Sequence, residues 1–212
     1  MTEDELVDRS SLRGNYVYGF KARAKKQADA IRSNLGLTPS DPLNTEALLA
    51  HLQLRRWGIS ELAERDEATW IEVAQLYIVD PSSFSGALIS RDGKQGVLIN
   101  DAHNIFRQRN TESHEAAHAI LAHTDTPFLS GNKVRLRDAQ VEAEADFLGR
   151  CLLIPEAFTI ATAKRNVSAK AAARRLVIAE AAEHMKVSTE LMQWAFNDFA
   201  AWTRADRSKG RR

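Results

Sequence analysis

The sequence predicts one α+β unit, mostly helical, with a small antiparallel sheet and a helical extension at the carboxyl end. Three observations lead to this prediction. Helix formers bounded by capping residues, Gly or Pro recur along the chain, and apolar residues near the carboxyl end recur at helical spacing. An Asp-Gly pair between two short apolar runs indicates a single β-hairpin. A 44 % apolar composition over 212 residues is enough for one good core, so two equal domains are not expected.

Bulk composition excludes several classes of protein. The formal net charge of +1 argues against a strongly electrostatic nucleic-acid binder and against a membrane-surface protein. A single cysteine, Cys151, rules out an internal disulfide and a Cys-rich zinc site, which fits a reducing compartment. The chain begins with acidic residues rather than a secretory signal, and no apolar run approaches the roughly 20 residues of a membrane span. We therefore expect a cytoplasmic protein that does not engage a membrane.

Three regions are predicted along the chain, packed as one unit. Residues 1–44 form an amino-terminal helical segment, and residues 45–165 form the core that carries the chemistry. Residues 166–212 form a helical hairpin, which has some helix-turn-helix character, followed by a basic tail.

Local signals predict the elements that precede the hairpin. Good helix formers from about Gly19 to Leu35 indicate a basic helix. Asn44 or Thr45 is expected to cap a second, short helix. After it we expect a strand-like stretch from Leu52 to Ile59 and a helix from Glu61 to Leu76.

The next predicted elements are the hairpin and two helices. The hairpin strands are Ser85–Ser90 and Gly96–Asn100, joined through Asp92 and Gly93. A helix that starts at a cap on Asn110 or Thr111 and runs to His123 should follow. A polar loop, 130–138, should then lead into a helix from Ala139 to Leu153.

The carboxyl-terminal region should contain two Ala-rich helices and a frayed tail. The helices are predicted at Ser168–Met185 and Thr189–Trp202, with Ser188 as a cap of the second. The tail from Arg204 to Arg212 is expected to fray. Apolar side chains of the second helix recur at helical spacing and are read as core contacts: Leu191, Trp194, Ala195, Phe199 and Trp202.

The most informative motif is the pentapeptide His114-Glu115-Ala116-Ala117-His118. Residues four apart on a helix share a face, so His114 and His118 can bind one metal ion. The adjacent Glu115 is then placed to act as general base on a water at that ion. This combination predicts a zinc hydrolase.

A catalytic zinc usually takes three protein ligands and one water, so a third ligand is needed. Glu142 and Asp146 are four residues apart on the helix predicted at 139–153 and share a face. One can bind the metal while the other hydrogen-bonds a ligand histidine and fixes its tautomer. We favour Glu142 as the ligand and Asp146 as its supporting residue. Glu144 is rotated about 200° from Glu142 on a helix, so both cannot face the metal.

Histidine is a less suitable third ligand in this sequence. The extended pattern H-E-x-x-H-x-x-G-x-x-H needs Gly and His where the chain has Leu121 and Thr124. His123 would lie about 140° further round a continuous helix than His118, which favours a C-terminal cation or a residue supporting a ligand. His123, His103 and Tyr77 are candidate donors to a reaction oxyanion, and the sequence singles out none of them.

A known family shares these motifs. R-Q-R-N-T-E-S-H-E-A-A-H, followed by E-A-E-A-D-F-L and C-L-L-I-P, resembles the ImmA/IrrE metallo-endopeptidases over about Ile89 to Pro155. The resemblance implies a zincin-like fold with His114, His118 and Glu142 as zinc ligands and Glu115 as general base. The bound ion is expected to be Zn²⁺, and Mn²⁺ or Fe²⁺ are alternatives that such a site accommodates. Asn110 and the pair Leu148-Gly149 depart from the family pattern, which usually has Phe and Phe-Ala there.

The resemblance also implies a substrate and a role. Members of this family commonly cut a helix-turn-helix transcriptional repressor in stress-response systems or on mobile elements, and so relieve repression. We therefore expect a zinc endopeptidase acting on a separate repressor. The alternative is a regulatory module that binds DNA or a repressor through the passage from Ala182 to Leu191 and the basic tail.

Overall fold

A computed structural model describes residues 16–63, 78–80, 82–91, 94–123 and 139–209. Within these ranges three short strands form one sheet: β1 Arg55–Gly58, β2 Gly86–Arg91 and β3 Lys94–Ile99. The helices of the described chain are α1 Phe20–Asn34, α2 Thr45–His51, α3 Ile59–Ala63, α4 Ile105–Ile120, α5 Ala139–Leu153, α6 Glu156–Arg165, α7 Ala171–Met185, α8 Thr189–Asp198 and α9 Ala201–Lys209.

The α+β class and the hairpin are confirmed. β2 and β3 pair antiparallel from Gly86 opposite Ile99 to Arg91 opposite Lys94, as the two apolar runs predicted. β1 adds to the other side of β3 in parallel, giving the order β1-β3-β2, so the sheet is mixed rather than purely antiparallel. β1 and β2 therefore lie on opposite sides of β3. The Asp-Gly turn itself lies outside the described residues.

Helix α4, which carries the pentapeptide, has different ends from those predicted. It begins at Ile105, where the side chain of Asn104 caps it by accepting the N–H of Arg107. The predicted caps, Asn110 and Thr111, are wrong because both lie inside this helix. The predicted end at His123 is also wrong, since the helix stops at Ile120 and the chain reverses through Ala122, at φ 51°.

The carboxyl-terminal region has more helices than predicted. Asn44 and Ser188 are the caps of α2 and α8, as expected. The single helix predicted at 189–202 is wrong. Ala200, at φ 49°, interrupts it, and a separate helix, α9, follows and ends at Lys209. The tail is therefore helical up to that residue rather than frayed. The predicted elements do not include helix α6, which follows Pro155. Most of the predicted helix 61–76 and the polar loop 130–138 lie outside the described residues.

The core lies between α4, α5 and the helices around them. Gly149 on α5 allows the closest approach, because a Cβ there would lie 3.1 Å from the carbonyl oxygen of Ser113 and 3.2 Å from the Cα of His114. The Ser113 hydroxyl donates to the Gly149 carbonyl at 2.7 Å across this contact. The guanidinium of Arg32, almost fully buried on α1, donates to the Leu152 carbonyl near the end of α5. The Gly149 contacts hold α5 against the pentapeptide helix, and Arg32 holds α1 against α5.

Among the residues described, none of the helices combines the length and the apolarity that crossing a bilayer requires.

Candidate metal centre

The two histidines of the pentapeptide face each other on α4. Their Nε2 atoms lie 3.0 Å apart, and their rings are partly buried. The one-turn spacing brings them together, as it does on any α-helix. A third donor enters from α5, where Glu142 places Oε2 at 3.5 Å from Nε2 of His114 and Oε1 at 3.6 Å from Nε2 of His118.

These three donors fit a tetrahedral metal ion. With metal–ligand distances of about 2.0–2.1 Å, neighbouring ligand atoms of a tetrahedral zinc are about 3.3 Å apart. The two Nε2 atoms are 3.0 Å apart, and each lies 3.5–3.6 Å from a different carboxylate oxygen of Glu142, so the three donor groups surround one point. Within the described ranges they are the group of His, Cys, Asp and Glu residues close enough to hold one ion. Two imidazoles and one carboxylate leave a fourth position for water, as in catalytic zinc sites.

Asp146 lies on the same face of α5 as Glu142, one turn further on. Its Oδ1 is 2.8 Å from Nδ1 of His114. A carboxylate at this distance accepts the Nδ1–H of the ring, so that when the ring is neutral its lone pair is on Nε2, on the side of the other donors. Both carboxylates that the sequence proposed are therefore next to His114, one at each ring nitrogen.

The carboxylates around His114 increase the affinity of this ring for a proton. Burial by itself lowers the pKa of His114, but hydrogen bonds to Asp146 and Glu142 and the charge of Glu115 outweigh burial and raise the pKa to about 10. In the metal-free protein this ring therefore carries a proton at neutral pH. A metal ion must displace that proton when it binds.

Glu115 lines the same cleft as His114 and Glu142 and also contacts the sheet. It is 6 % exposed, and its Oε2 accepts the backbone N–H of Leu88 on β2 at 2.8 Å. The strand can come this close because Gly86 has no side chain, and a Cβ there would collide with Thr111 of α4. Glu115 is thus held between the histidines and an edge strand, a contact that sequence patterns do not signal.

In the part of the chain that the structure describes, strand β2 is the edge of the sheet beside Glu115. The N–H of Asn100 donates to the Ser85 carbonyl, so Ser85 faces β3. Backbone groups alternate in direction along a strand, which turns those of Gly86 and Leu88 toward the open side. The contact between Leu88 and Glu115 agrees with this direction.

A cleft of about 850 Å³ runs past the donors. One wall is the approach to β2 together with the first half of α4, and the other is the start of α5 and of α8. Leu191 and Trp194, read from the sequence as core residues, line this cleft from α8. Its lining residues are Ser82–Gly86, Asn104, Phe106, Arg107, Asn110, Thr111, His114, Glu115, Ala139, Glu142, Asp146, Ser188, Glu190, Leu191 and Trp194.

The Arg-Gln-Arg segment before the pentapeptide ties α4 to its surroundings. Arg107 donates to the Ser85 hydroxyl at 2.8 Å, at the approach to β2. Gln108 donates to the carbonyls of Asp101 and His103, which fixes the turn that leads into the helix. These contacts hold the start of α4, and with it the pentapeptide, in place against β2 and the preceding turn.

The third residue of that segment reaches two other helices. Arg109 donates to the Leu43 carbonyl at 2.6 Å, just before α2, and to the Lys186 carbonyl at 2.9 Å, at the end of α7. Burial lowers the pKa of its guanidinium. Arg109 therefore connects the amino-terminal and carboxyl-terminal regions to the pentapeptide helix.

A buried carboxylate lies on the same helix. Glu112 accepts the Nε–H of Arg56 from β1 at 2.6 Å and the hydroxyl of Thr45 from α2. Glu112 is 3 % exposed, so these donors compensate for its loss of water. No local pattern predicts this pairing, because the partners are distant in the chain.

The three candidate donors to an oxyanion have different positions. Tyr77 lies outside the described residues. His103 is in the turn before α4, and its carbonyl accepts from Gln108. His123 turns back to His118, with 3.0 Å between their Nδ1 atoms. Neither described histidine is among the residues that line the cleft.

Comparison with known families agrees with the geometry. The family model of Peptidase M78, described as an IrrE N-terminal-like domain, matches residues 81–196, more than half of the 212-residue chain. The match runs from the approach to β2 through the pentapeptide helix and α5 into α8. Searches of the curated proteins and of the solved structures found no match. The chain belongs to the Peptidase M78 family of metallopeptidases, the ImmA/IrrE family that its motifs resemble.

Proposed function

We propose that this protein is a zinc-dependent endopeptidase that cuts an intracellular protein. The observation that carries the proposal is the triangle of His114, His118 and Glu142 donors with Glu115 next to it. A closed structural zinc site would need four protein ligands and no base. The described group has three ligands and an adjacent carboxylate on a cleft, which supports a catalytic site.

The proposed roles follow from where each residue lies. A zinc ion bound by His114, His118 and Glu142 would supply Lewis acidity, which makes water nucleophilic near neutral pH and polarises a peptide carbonyl. Glu115 takes a proton from the attacking water and passes it to the leaving amine. The Leu88 N–H holds one carboxylate oxygen of Glu115 and orients the other. Asp146 keeps His114 in the tautomer whose Nε2 is free to bind the ion.

The proposed substrate binds in an extended conformation along β2. The open edge of this strand offers backbone groups of Gly86 and Ser90 on either side of Leu88. A peptide added as a further strand would carry its scissile bond past Glu115 and the three donors. The cleft continues toward α8, where Leu191 and Trp194 offer apolar surface to substrate side chains.

The identity of the substrate rests on family membership. We propose that it is a helix-turn-helix transcriptional repressor whose cleavage relieves repression, in the cytoplasm. The support is the family's common role together with the match over residues 81–196. The alternative, a DNA-contacting module around Ala182 to Leu191, has less support, because the start of α8 lines the cleft and Arg204 is paired with Glu156.

Glu115→Gln tests the enzymatic role. The variant should retain zinc and lose peptidase activity by a factor of about 10² to 10⁴, since only the proton transfer is removed. Glu180→Gln, an exposed change on α7, is the matched control. Metal content is measured on the purified protein, and cleavage is assayed on a repressor encoded next to it. Wild-type cleavage by a zinc-loaded Glu115→Gln protein would falsify the general-base assignment.

A further inference from the structure

The chain reverses sharply after the pentapeptide helix and brings His123 back onto it. The N–H of His123 donates to the His118 carbonyl, and the N–H of Ala122 donates to the Ala119 carbonyl. Ala122 has φ 51°, the left-handed conformation that closes this type of helix end. The turn replaces the continued helix that would have carried His123 away from the metal donors.

The contact between the two rings constrains their protons. Nδ1 of His118 and Nδ1 of His123 lie 3.0 Å apart, a hydrogen-bond distance, so one must donate and the other accept. If Nε2 of His118 binds the ion, its proton resides on Nδ1 and this nitrogen donates. His123 then accepts at Nδ1 and carries its own proton on Nε2, which faces Oε2 of Glu144 at 3.9 Å.

Glu144 is itself held in place. It is 9 % exposed, and its Oε1 accepts the backbone N–H of Val17 and the side-chain amide of Gln140, both at 3.3 Å. A buried carboxylate with these partners forms a fixed negative group behind His123. Glu144 is rotated away from Glu142 on α5, but the chain reversal places His123 between Glu144 and His118.

We propose that His123 and Glu144 position the metal ligand His118, as Asp146 positions His114. This inference rests on the proposed metal site. The two ligand histidines are then each supported by an acidic residue of α5, directly for His114 and through a second imidazole for His118. Helix α5 would supply one ligand and both supports from the alternate positions Glu142, Glu144 and Asp146.

Zinc affinity of the full chain tests the proposal without any peptide substrate. His123→Leu removes the acceptor and should weaken zinc binding 10- to 100-fold, the usual effect of losing such a partner. His123→Asn keeps an acceptor at the position of Nδ1 and should recover most of the affinity. Glu144→Gln should weaken binding less than His123→Leu. Equal zinc affinity in His123→Leu and the wild type would overturn the proposal.

The tautomers give a second readout that needs no variant. ¹⁵N NMR of the zinc-loaded wild-type protein should show the proton of His118 on Nδ1 and that of His123 on Nε2. The opposite tautomer of His123 would overturn the proposal even if the zinc affinities of the variants change. The two proposals fail in different ways. A wild-type chain that binds no zinc contradicts the proposed function, whereas equal zinc affinity in the wild type and His123→Leu contradicts only this inference.

Discussion

The backbone N–H of Leu88 donates to Oε2 of Glu115 at 2.8 Å, so the edge strand of the sheet and the proposed general base are directly connected. This contact places Glu115 relative to any peptide that pairs with β2. It also occupies one backbone donor of the edge, which leaves the Leu88 carbonyl and the neighbouring groups for substrate.

Leu88→Pro tests this connection. Proline removes the N–H, and this position tolerates it because the group points away from β3. Loss of a hydrogen bond to a charged group costs about 1.5–3 kcal/mol, so kcat should fall roughly 10- to 100-fold while zinc affinity is unchanged. Leu88→Ala, which shortens the side chain and keeps the N–H, is the control in the same peptidase assay. Equal kcat in the two variants would show that the contact does not orient Glu115.

The metal-free protein should lose stability as the pH rises above neutrality. The pKa of His114 is raised from 6.5 to about 10 in the folded protein, so between these values the folded state holds a proton that the unfolded state has released. This contribution is complete below pH 6.5 and is lost as the pH rises through 10, with a slope of at most about 1.4 kcal/mol per pH unit. Urea unfolding at several pH values measures it.

His114→Gln provides the control for the pH dependence, because it removes the titrating ring. The difference in unfolding free energy between wild type and variant should shrink from pH 7 to pH 9. Saturating zinc should reduce the slope of the wild type, since the ion takes the place of the proton. A difference that grows with pH would mean that the carboxylates do not hold this proton.

Gly149 should be intolerant of a larger side chain. A Cβ there already meets backbone atoms of Ser113 and His114 at 3.1–3.2 Å, so Gly149→Val must push α5 away from α4. We expect a loss of about 1–3 kcal/mol in unfolding free energy and weaker zinc binding, because the ligands come from both helices. Gly149→Ala should remain within about 1 kcal/mol of the wild type, since higher helix propensity offsets the tighter contact. Thermal unfolding and zinc titration measure both, and a Val variant as stable as the Ala variant would contradict the packing argument.

Trp194→Ala should affect peptide binding rather than the chemical step. The indole lines the cleft from α8, beyond the proposed zinc ligands. We expect KM to rise several-fold with kcat and zinc affinity retained, because apolar contact with the substrate is lost. Trp202→Ala is the matched control, since that ring packs on Phe196 and Arg174 instead. If both variants raise KM equally, the α8 wall does not contact the substrate.

The carboxyl-terminal residues show where local patterns were insufficient. Helical spacing identified Leu191, Ala195 and Phe199 as core residues, and all three are buried. Trp194 and Trp202 are partly buried and also pack against the core. The spacing did not reveal that Leu191 and Trp194 line the cleft as well, because period alone does not show what lies opposite a helix face. Likewise, the continuous helices predicted through His123 and to Trp202 ignored the left-handed residues Ala122 and Ala200, which carry no glycine signal. The predicted regional boundaries at 44/45 and 165/166 stay predictions.

By itself, the sequence determined the relation among His114, Glu115 and His118, because helix geometry fixes the directions of residues within one turn. It also placed Glu142 and Asp146 on a common face for the same reason. Tertiary structure alone decided that this face meets His114, that Leu88 binds Glu115 and that Glu144 reaches His118 through His123. Those contacts depend on helix packing, strand order and a chain reversal, which bring together residues far apart in the chain and leave no period in the sequence.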